Sequence, residues 1–226
     1  LIRPPSRFTD VVMHPLLKKH LPVLGEAVEQ IGGPQIRNIG TIGGNICNGV
    51  TSADSAGTLK AYDAVLELAS LDGTRVIPFS KFNIKPGKVD LRPGEILTGI
   101  RIPKESYENT YGHFIKYAMR KAMDIATLSC SVNIKLTEDK KKIERLRISF
   151  GVAAPIPIRA TTAETAAYHH LLNEELLNEI TKGVLQDVMP RTSWRASKEF
   201  RLHLVEELAR RATILSIEKA GGKING

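Results

Sequence analysis

The run Ile36-Arg37-Asn38-Ile39-Gly40-Thr41-Ile42-Gly43-Gly44-Asn45-Ile46 constrains this chain more than any other stretch. Apolar residues lead into two adjacent glycines and an asparagine. Gly43 and Gly44 carry no side chain, so a bulky group can approach the main chain closely, and either residue can take a positive φ. Successive amides in such a turn form an anion-binding concavity. Asn45 adds an amide donor and acceptor, and Thr41 adds a hydroxyl. These parts suit a diphosphate with a ribose attached. Taken alone, such a run is more often a plain tight turn. No Gly-Lys-Ser/Thr follows, so it is not a Walker loop, and its spacing is not that of the dinucleotide fingerprint.

Composition narrows the class. The 226 residues fit one large domain or two small ones, and 42% hydrophobic with 25% charged residues suits a soluble chain with a real core. No apolar run reaches membrane-spanning length. The opening Leu1-Ile2-Arg3-Pro4-Pro5 is not a signal peptide. It starts on apolar residues without Met, as a fragment would. Two cysteines, Cys47 and Cys130, make neither a disulfide framework nor a CxxC site, and they read as reduced thiols of a cytoplasmic protein. An iron–sulfur cluster needs about four cysteines, so this chain cannot hold one alone. The net charge of +8 attracts anions or an acidic partner. Aromatics are only 5%, and no nucleic-acid module stands out.

Periodicity predicts the elements. Leu17, Leu21, Leu24 and Val28 recur at helical spacing, predicting a helix from Leu16 to Ile31. Extended, glycine-rich chain follows through Asn45, then a short helix from Ser55 to Ala61. Residues 64–70 and 74–79 flank Leu71-Asp72-Gly73 as a hairpin. Lys85-Pro86-Gly87-Lys88 is a loop, and Glu95 to Ile102 a strand closed by Pro103. After a polar linker at 104–110, strands are expected at 112–119, 127–136 and 143–152, with Pro155 and Pro157 stopping the sheet. Helices follow at 160–172, 174–188 and 196–218. In the last, Phe200, Leu204, Leu208, Ala212 and Leu215 form an apolar stripe, read as core. The chain therefore divides near residue 106, into 1–106 and 107–226, both of α+β character.

The stretch from Gly33 to Gly49, followed by Ser52-Ala53-Asp54, closely resembles the FAD-binding subunit of molybdenum hydroxylases, the xanthine dehydrogenase flavin-subunit family. Further matches follow in order: Pro86-Gly87-Lys88, Glu95-Ile96-Leu97, Phe114-Ile115-Lys116-Tyr117-Ala118, Asp124-Ile125-Ala126 and Phe150-Gly151-Val152-Ala153-Ala154-Pro155. The tail from Ser193-Trp194-Arg195 to Phe200-Arg201 resembles the bacterial xanthine dehydrogenases. The resemblance implies the second half of a vanillyl-alcohol-oxidase/PCMH-type FAD-binding domain over 1–106. A C-terminal domain with a three-stranded antiparallel sheet and a helix bundle would occupy 107–226. The family's N-terminal subdomain, with its own glycine loop, has no counterpart in this sequence.

The same resemblance implies that Thr41, Ile42, Gly43, Gly44 and Asn45 hold the diphosphate and ribitol of FAD. Asp54 would accept a hydrogen bond from a hydroxyl of the adenosine end; read without the family, it is a helix N-cap. Leu97 would pack on the cofactor, Lys116 would lie near the flavin, and Ile31 would line the site. Asp124 would anchor the adjoining loop. Partners implied are a molybdenum-cofactor subunit, where the substrate is hydroxylated, and a 2Fe–2S subunit relaying electrons to FAD, with NAD+ as acceptor. No catalytic acid, base or nucleophile and no metal site is legible, as suits a protein whose cofactor carries the chemistry. Alternatives left open are a cofactor-free assembly module of the same fold, and a flavin subunit acting on nicotinate, CO or an aromatic thioester. Neither nucleic acid nor membrane is an expected partner.

Overall fold

Prolines set the N-terminal helices. A computed structural model describes residues 1–225. It begins with α1 (Phe8–Met13), α2 (Pro15–His20), α3 (Pro22–Glu29), α4 (Pro34–Ile39), α5 (Ile42–Cys47) and α6 (Asp54–Ala61). The single helix expected from Leu16 to Ile31 is two. Pro22 pushes Leu21 out of the helical region, to φ −133° and ψ 49°, and Pro22 restarts the helix at its first turn. The chain expected to be extended through Asn45 is also helical. Pro34 opens α4, and Thr41 caps α5 by accepting a hydrogen bond from Gly44 N at 3.1 Å. Only Gly40 and Thr41 between them are extended.

The expected hairpin is present as β1 (Val65–Ser70) and β2 (Gly73–Pro78), paired antiparallel. The predicted Lys85–Lys88 loop joins β3 (Asn83–Lys85) to β4 (Lys88–Val89). Strand β5 (Ile96–Arg101) returns to pair with β1, giving a sheet in the order β2-β1-β5. Its buried side, with Leu66, Leu68 and Ile100, joins Leu24, Val28, Ile42 and Leu59 in one core.

The second sheet is β6 (Tyr111–Tyr117), β7 (Leu128–Leu136), β8 (Ile143–Gly151) and β9 (Ile158–Arg159), in that order and antiparallel. Three long strands match expectation. The fourth, two residues long, corrects the three-stranded count: after Pro155 and Pro157 the chain folds back so that Arg159 and Ile158 pair with Ser149 and Phe150. Helices α7 (Thr161–Ala166), α8 (Glu174–Asp187) and α9 (Lys198–Lys219) follow, with Asn173 and Ser197 capping the last two. Of the predicted stripe on α9, Leu204, Leu208 and Ala212 are buried, whereas Phe200 and Leu215 are partly exposed.

The two faces of this sheet differ because strand residues alternate. Cys130, Val132, Ile134, Ile148 and Phe150 point to α8 and α9 and form a second core. Ser129, Ser131, Asn133 and Ser149 point the other way, are buried, and meet α6. Ser131 Oγ donates to Thr58 Oγ1 at 3.1 Å, and Asn133 Nδ2 donates to Ser106 O at 2.8 Å. Small polar residues let α6 lie close, and Ser131 Oγ and Asn133 Nδ2 find partners across the gap, while Asn133 Oδ1 has none. Helix α6 is thus the shared wall between the two halves.

A second tie crosses the same divide. Glu26 on α3 accepts from the Phe114 amide at 3.0 Å and from Lys219 Nζ at 2.6 Å. Burial raises the Glu26 carboxyl, but hydrogen bonds from His113, Lys219 and the Phe114 amide outweigh it and bring it down to about 2. A depressed carboxyl contributes stability above its unfolded value, near 4.5, and that stability is lost as pH falls toward 2. Glu26→Gln is expected to cost about 1–3 kcal/mol at pH 7. Urea midpoints of the two proteins should converge between pH 4.5 and 2; a gap that stays constant with pH would refute the assignment.

Candidate functional site

Asp54 opens α6, and its carboxylate points across to β6. Lys116 Nζ lies 2.7 Å from Asp54 Oδ2, and both side chains are buried, at 6% and 5% exposure. The ammonium also donates to Gln30 O at 2.9 Å. Asp54 is the first helical residue and not the cap expected as its alternative role; Ala53 occupies the cap and supplies no side-chain bond. Burial pushes the Asp54 carboxyl up to about 6, against the pull of Lys116. Its second oxygen, Oδ1, is buried and has no hydrogen-bond partner. Such a vacancy costs free energy unless a ligand donor fills it.

The glycine run delivers less backbone to a ligand than its sequence promises. Ile42 N donates to Ser6 O at 3.0 Å and Gly43 N to Pro4 O at 2.9 Å. Gly44 N donates to Thr41 Oγ1, and Asn45 N to Thr41 O at 3.0 Å. These amides are already satisfied, so the expected diphosphate cradle of successive free N–H groups does not form. The need for glycine at 43 is steric: a Cβ there would sit 2.5 Å from Pro4 Cβ and 2.8 Å from Pro4 O. Gly44, by contrast, is exposed. Asn45 accepts from Ser55 Oγ at 2.7 Å, which leaves its Nδ2 as the donor for a ligand.

A cavity of about 180 Å³ lies over this group, lined by Ile31, Asn45, Ser52, Asp54, Lys116 and Asp124, among others. It opens into a groove of about 550 Å³ through Gly32, Lys116, Met123 and Asp124, which line both. Ile31, Asn45, Asp54 and Lys116 are therefore brought together as anticipated, with Asp124 beside them. Asp124 accepts from the Arg120 amide at 3.0 Å and from its neighbour Ile125 N at 2.9 Å, so it does hold the 120–125 loop in shape. Thr41, Ile42, Gly43, Gly44 and Leu97 do not line the cavity. Ile42 is core, and Leu97 sits half-buried opposite Leu68 in the first sheet. Sequence reasoning passed over Ser52, Met123 and Ile125 as lining residues, although each sits next to, or close by, a residue it had singled out.

A buried carboxylate oxygen in want of a donor, a cation beside it, a carboxamide and an open groove fit a hydroxylated, negatively charged ring cofactor. FAD has these features.

Residues 5–105 match the family described as FAD binding domain in molybdopterin dehydrogenase, and residues 113–215 match CO dehydrogenase flavoprotein C-terminal domain. The chain is 47% identical to a xanthine dehydrogenase FAD-binding subunit of Escherichia coli O157:H7, over 97% of this chain and 74% of that protein. It is 30% identical to the glyceraldehyde dehydrogenase medium chain of Sulfolobus acidocaldarius, over 92% of this chain and 72% of that one. Among solved structures, carbon monoxide dehydrogenase from Hydrogenophaga pseudoflava superimposes with a TM-score of 0.88 at 25% identity, over 95% of this chain and 73% of that one. Family models, relatives and fold agree, and this chain belongs to the FAD-binding subunits of the xanthine dehydrogenase-like molybdenum hydroxylases.

Proposed function

We propose that this chain binds FAD as the electron-transfer subunit of a xanthine dehydrogenase-like molybdenum hydroxylase. Electrons would arrive from iron–sulfur clusters of a 2Fe–2S subunit, after oxidation of the substrate on a molybdenum-cofactor subunit, and leave to NAD+. The complex would work in the cytoplasm. No helix among the described residues is long and apolar enough to cross a membrane. We assign residues 1–106 to the FAD-binding part and 107–226 to the C-terminal domain.

The observation that carries the reading is the buried Asp54 Oδ1 without a partner, on a residue that lines the crevice, while Oδ2 is held by Lys116. An ionised carboxylate is an acceptor only, and it suits a ligand hydroxyl. Lys116 fixes the carboxylate's orientation, and its ammonium favours negative charge in the crevice. Asn45 Nδ2 offers a donor, and Ile31 supplies an apolar wall. Thr41 and Gly43 act one step back, by setting the helix that presents Asn45. FAD, when bound, supplies the redox chemistry; the residues bind it, orient it and set the charge around it.

Asn45→Ala and Asp54→Ala are each expected to lower FAD occupancy of the assembled enzyme. The flavin-to-protein absorbance ratio measures this directly. Circular dichroism on the same samples reports whether the fold survives. A folded variant pair with undiminished flavin would sink the site assignment.

A further inference from the structure

The tail motif around Trp194 builds a second site next to the first. A cavity of about 600 Å³ is walled by Arg191, Arg195 and Arg201, with Trp194, Ser52 and Ile125 among its other lining residues. No Asp or Glu lines it. Arg201 is 2% exposed, and its Nε is buried without a hydrogen-bond partner; Arg195 Nε is in the same condition. Arg201 gives its other nitrogens to neutral groups, Arg191 O at 3.1 Å and Ser193 Oγ at 2.8 Å. Three guanidiniums thus converge where the only charges on one another are repulsive, and Arg191 and Arg195 act on Arg201 with like sign.

A buried cation with no counter-ion is costly, and in a folded chain such a charge is normally paired. Here the missing negative charge must come from outside the chain. Guanidinium forks match phosphate and carboxylate oxygens bidentately. Trp194, the only tryptophan in the chain, is 76% exposed, with the Arg195 guanidinium stacked 4.1 Å from its ring centre. A rigid indole beside clustered arginines suits a phosphate that carries an aromatic base. The loop is pre-shaped for this: Ser193 and Ala196 bridge each other, and Lys198 N donates to Thr192 Oγ1 at 3.0 Å. Ser52 and Ile125 line both this cavity and the Asp54 crevice, so the two spaces adjoin.

We infer that Arg191, Arg195 and Arg201 form the phosphate-binding subsite for the nucleotide electron acceptor, with Trp194 as its aromatic wall. This would make them the residues that select a phosphate-bearing acceptor over a protein or quinone. The inference rests on the crevice being the flavin site.

The test uses the assembled enzyme, with NAD+ as acceptor and inorganic pyrophosphate as the probe. Arg191→Ala and Arg195→Ala should each raise the KM for NAD+ about tenfold or more, the loss of one charge-assisted contact. Pyrophosphate should compete with NAD+, and its inhibition should weaken in parallel. Arg195→Lys should recover part of the loss, and Trp194→Phe should be milder than Trp194→Ala. Arg201 is spared because its bonds shape the loop. Unmoved KM and unmoved pyrophosphate inhibition in flavin-replete variants would overturn the inference and leave the flavin reading intact. So would variants that release a partner subunit on gel filtration with KM unchanged, since the counter-ion would then be a protein carboxylate. Failure of the flavin reading shows separately, as undiminished flavin in Asn45→Ala.

Discussion

Lys116→Met will destabilise the chain by about 3–5 kcal/mol at pH 8, because it leaves a buried carboxylate without its cation. Asp54 and Lys116 are both almost fully enclosed, and the pair sits at 2.7 Å. Removing the ammonium also strips the Gln30 carbonyl of a donor. The loss should shrink toward pH 5. Asp54 is already raised to about 6 by burial, and without Lys116 it will rise further and take up a proton. The sign follows from linkage. A carboxyl raised in the folded state holds its proton more tightly there, so the folded state gains as pH falls from 6 toward 3.8. Urea unfolding at pH 8 and pH 5 checks both statements. The double variant Lys116→Met with Asp54→Leu should recover most of the stability, since apolar replacement of a buried pair is often neutral. It should recover none of the flavin. Equal losses at both pH values, or no recovery in the double variant, would show that the pair is not the stabilising unit.

Gly43→Ala and Gly44→Ala will separate packing from ligand approach in the glycine run. At 43 the new methyl meets Pro4 Cβ at 2.5 Å, Pro4 O at 2.8 Å and Pro4 Cα at 2.9 Å. Two of the three are main-chain atoms and cannot turn aside. The N-terminal strap must lift, breaking Gly43 N to Pro4 O and straining Ile42 N to Ser6 O. Overpacking of this kind costs about 1–3 kcal/mol, and the lost hydrogen bond adds about 1 kcal/mol. At 44 a methyl meets only Thr41 Oγ1 at 3.0 Å, and alanine suits a helix better than glycine. Gly44→Ala should therefore fold with undiminished stability. If its flavin content nevertheless falls, the exposed backbone at 44 is where the cofactor comes close. If stability drops at 44 and holds at 43, the steric account is wrong. Thermal melts and flavin absorbance on the two variants suffice.

Much of the architecture follows from local pattern. All three long strands of the second sheet lie where the sequence predicts strands, and the Leu71-Asp72-Gly73 hairpin lies where turn chemistry placed it. Helices α8 and α9 also lie close to their predicted bounds, each behind a side-chain cap. Misses have local causes too. Pro22 splits a continuous helical pattern, because periodicity counts apolar positions and not missing N–H groups. Glycine disfavours helices, so the glycine-rich run predicts extended chain, yet Pro34 and Thr41 open two short helices there.

The site divides along the same line. Residue types marked Asn45, and the order of motifs, through the family it resembles, added Asp54 and Lys116, because both depend on which side chains are present. Their meeting depended on the register of β6 against β7, which turns Lys116 to the α6 face opposite Ser129. A shift of one residue would have sent that ammonium to the other core. The amides of Ile42 and Gly43 were likewise settled from afar, by Ser6 and Pro4, whereas Thr41 takes that of Gly44. The arginine pocket needed the fold too: Arg191, Arg195 and Arg201 are close in sequence, but their cavity forms only where the Trp194 loop and the start of α9 meet Thr51, Ser52 and Ile125. Chemistry is written in the local sequence, but burial and pairing are long-range, and they decided which of these groups a ligand can reach.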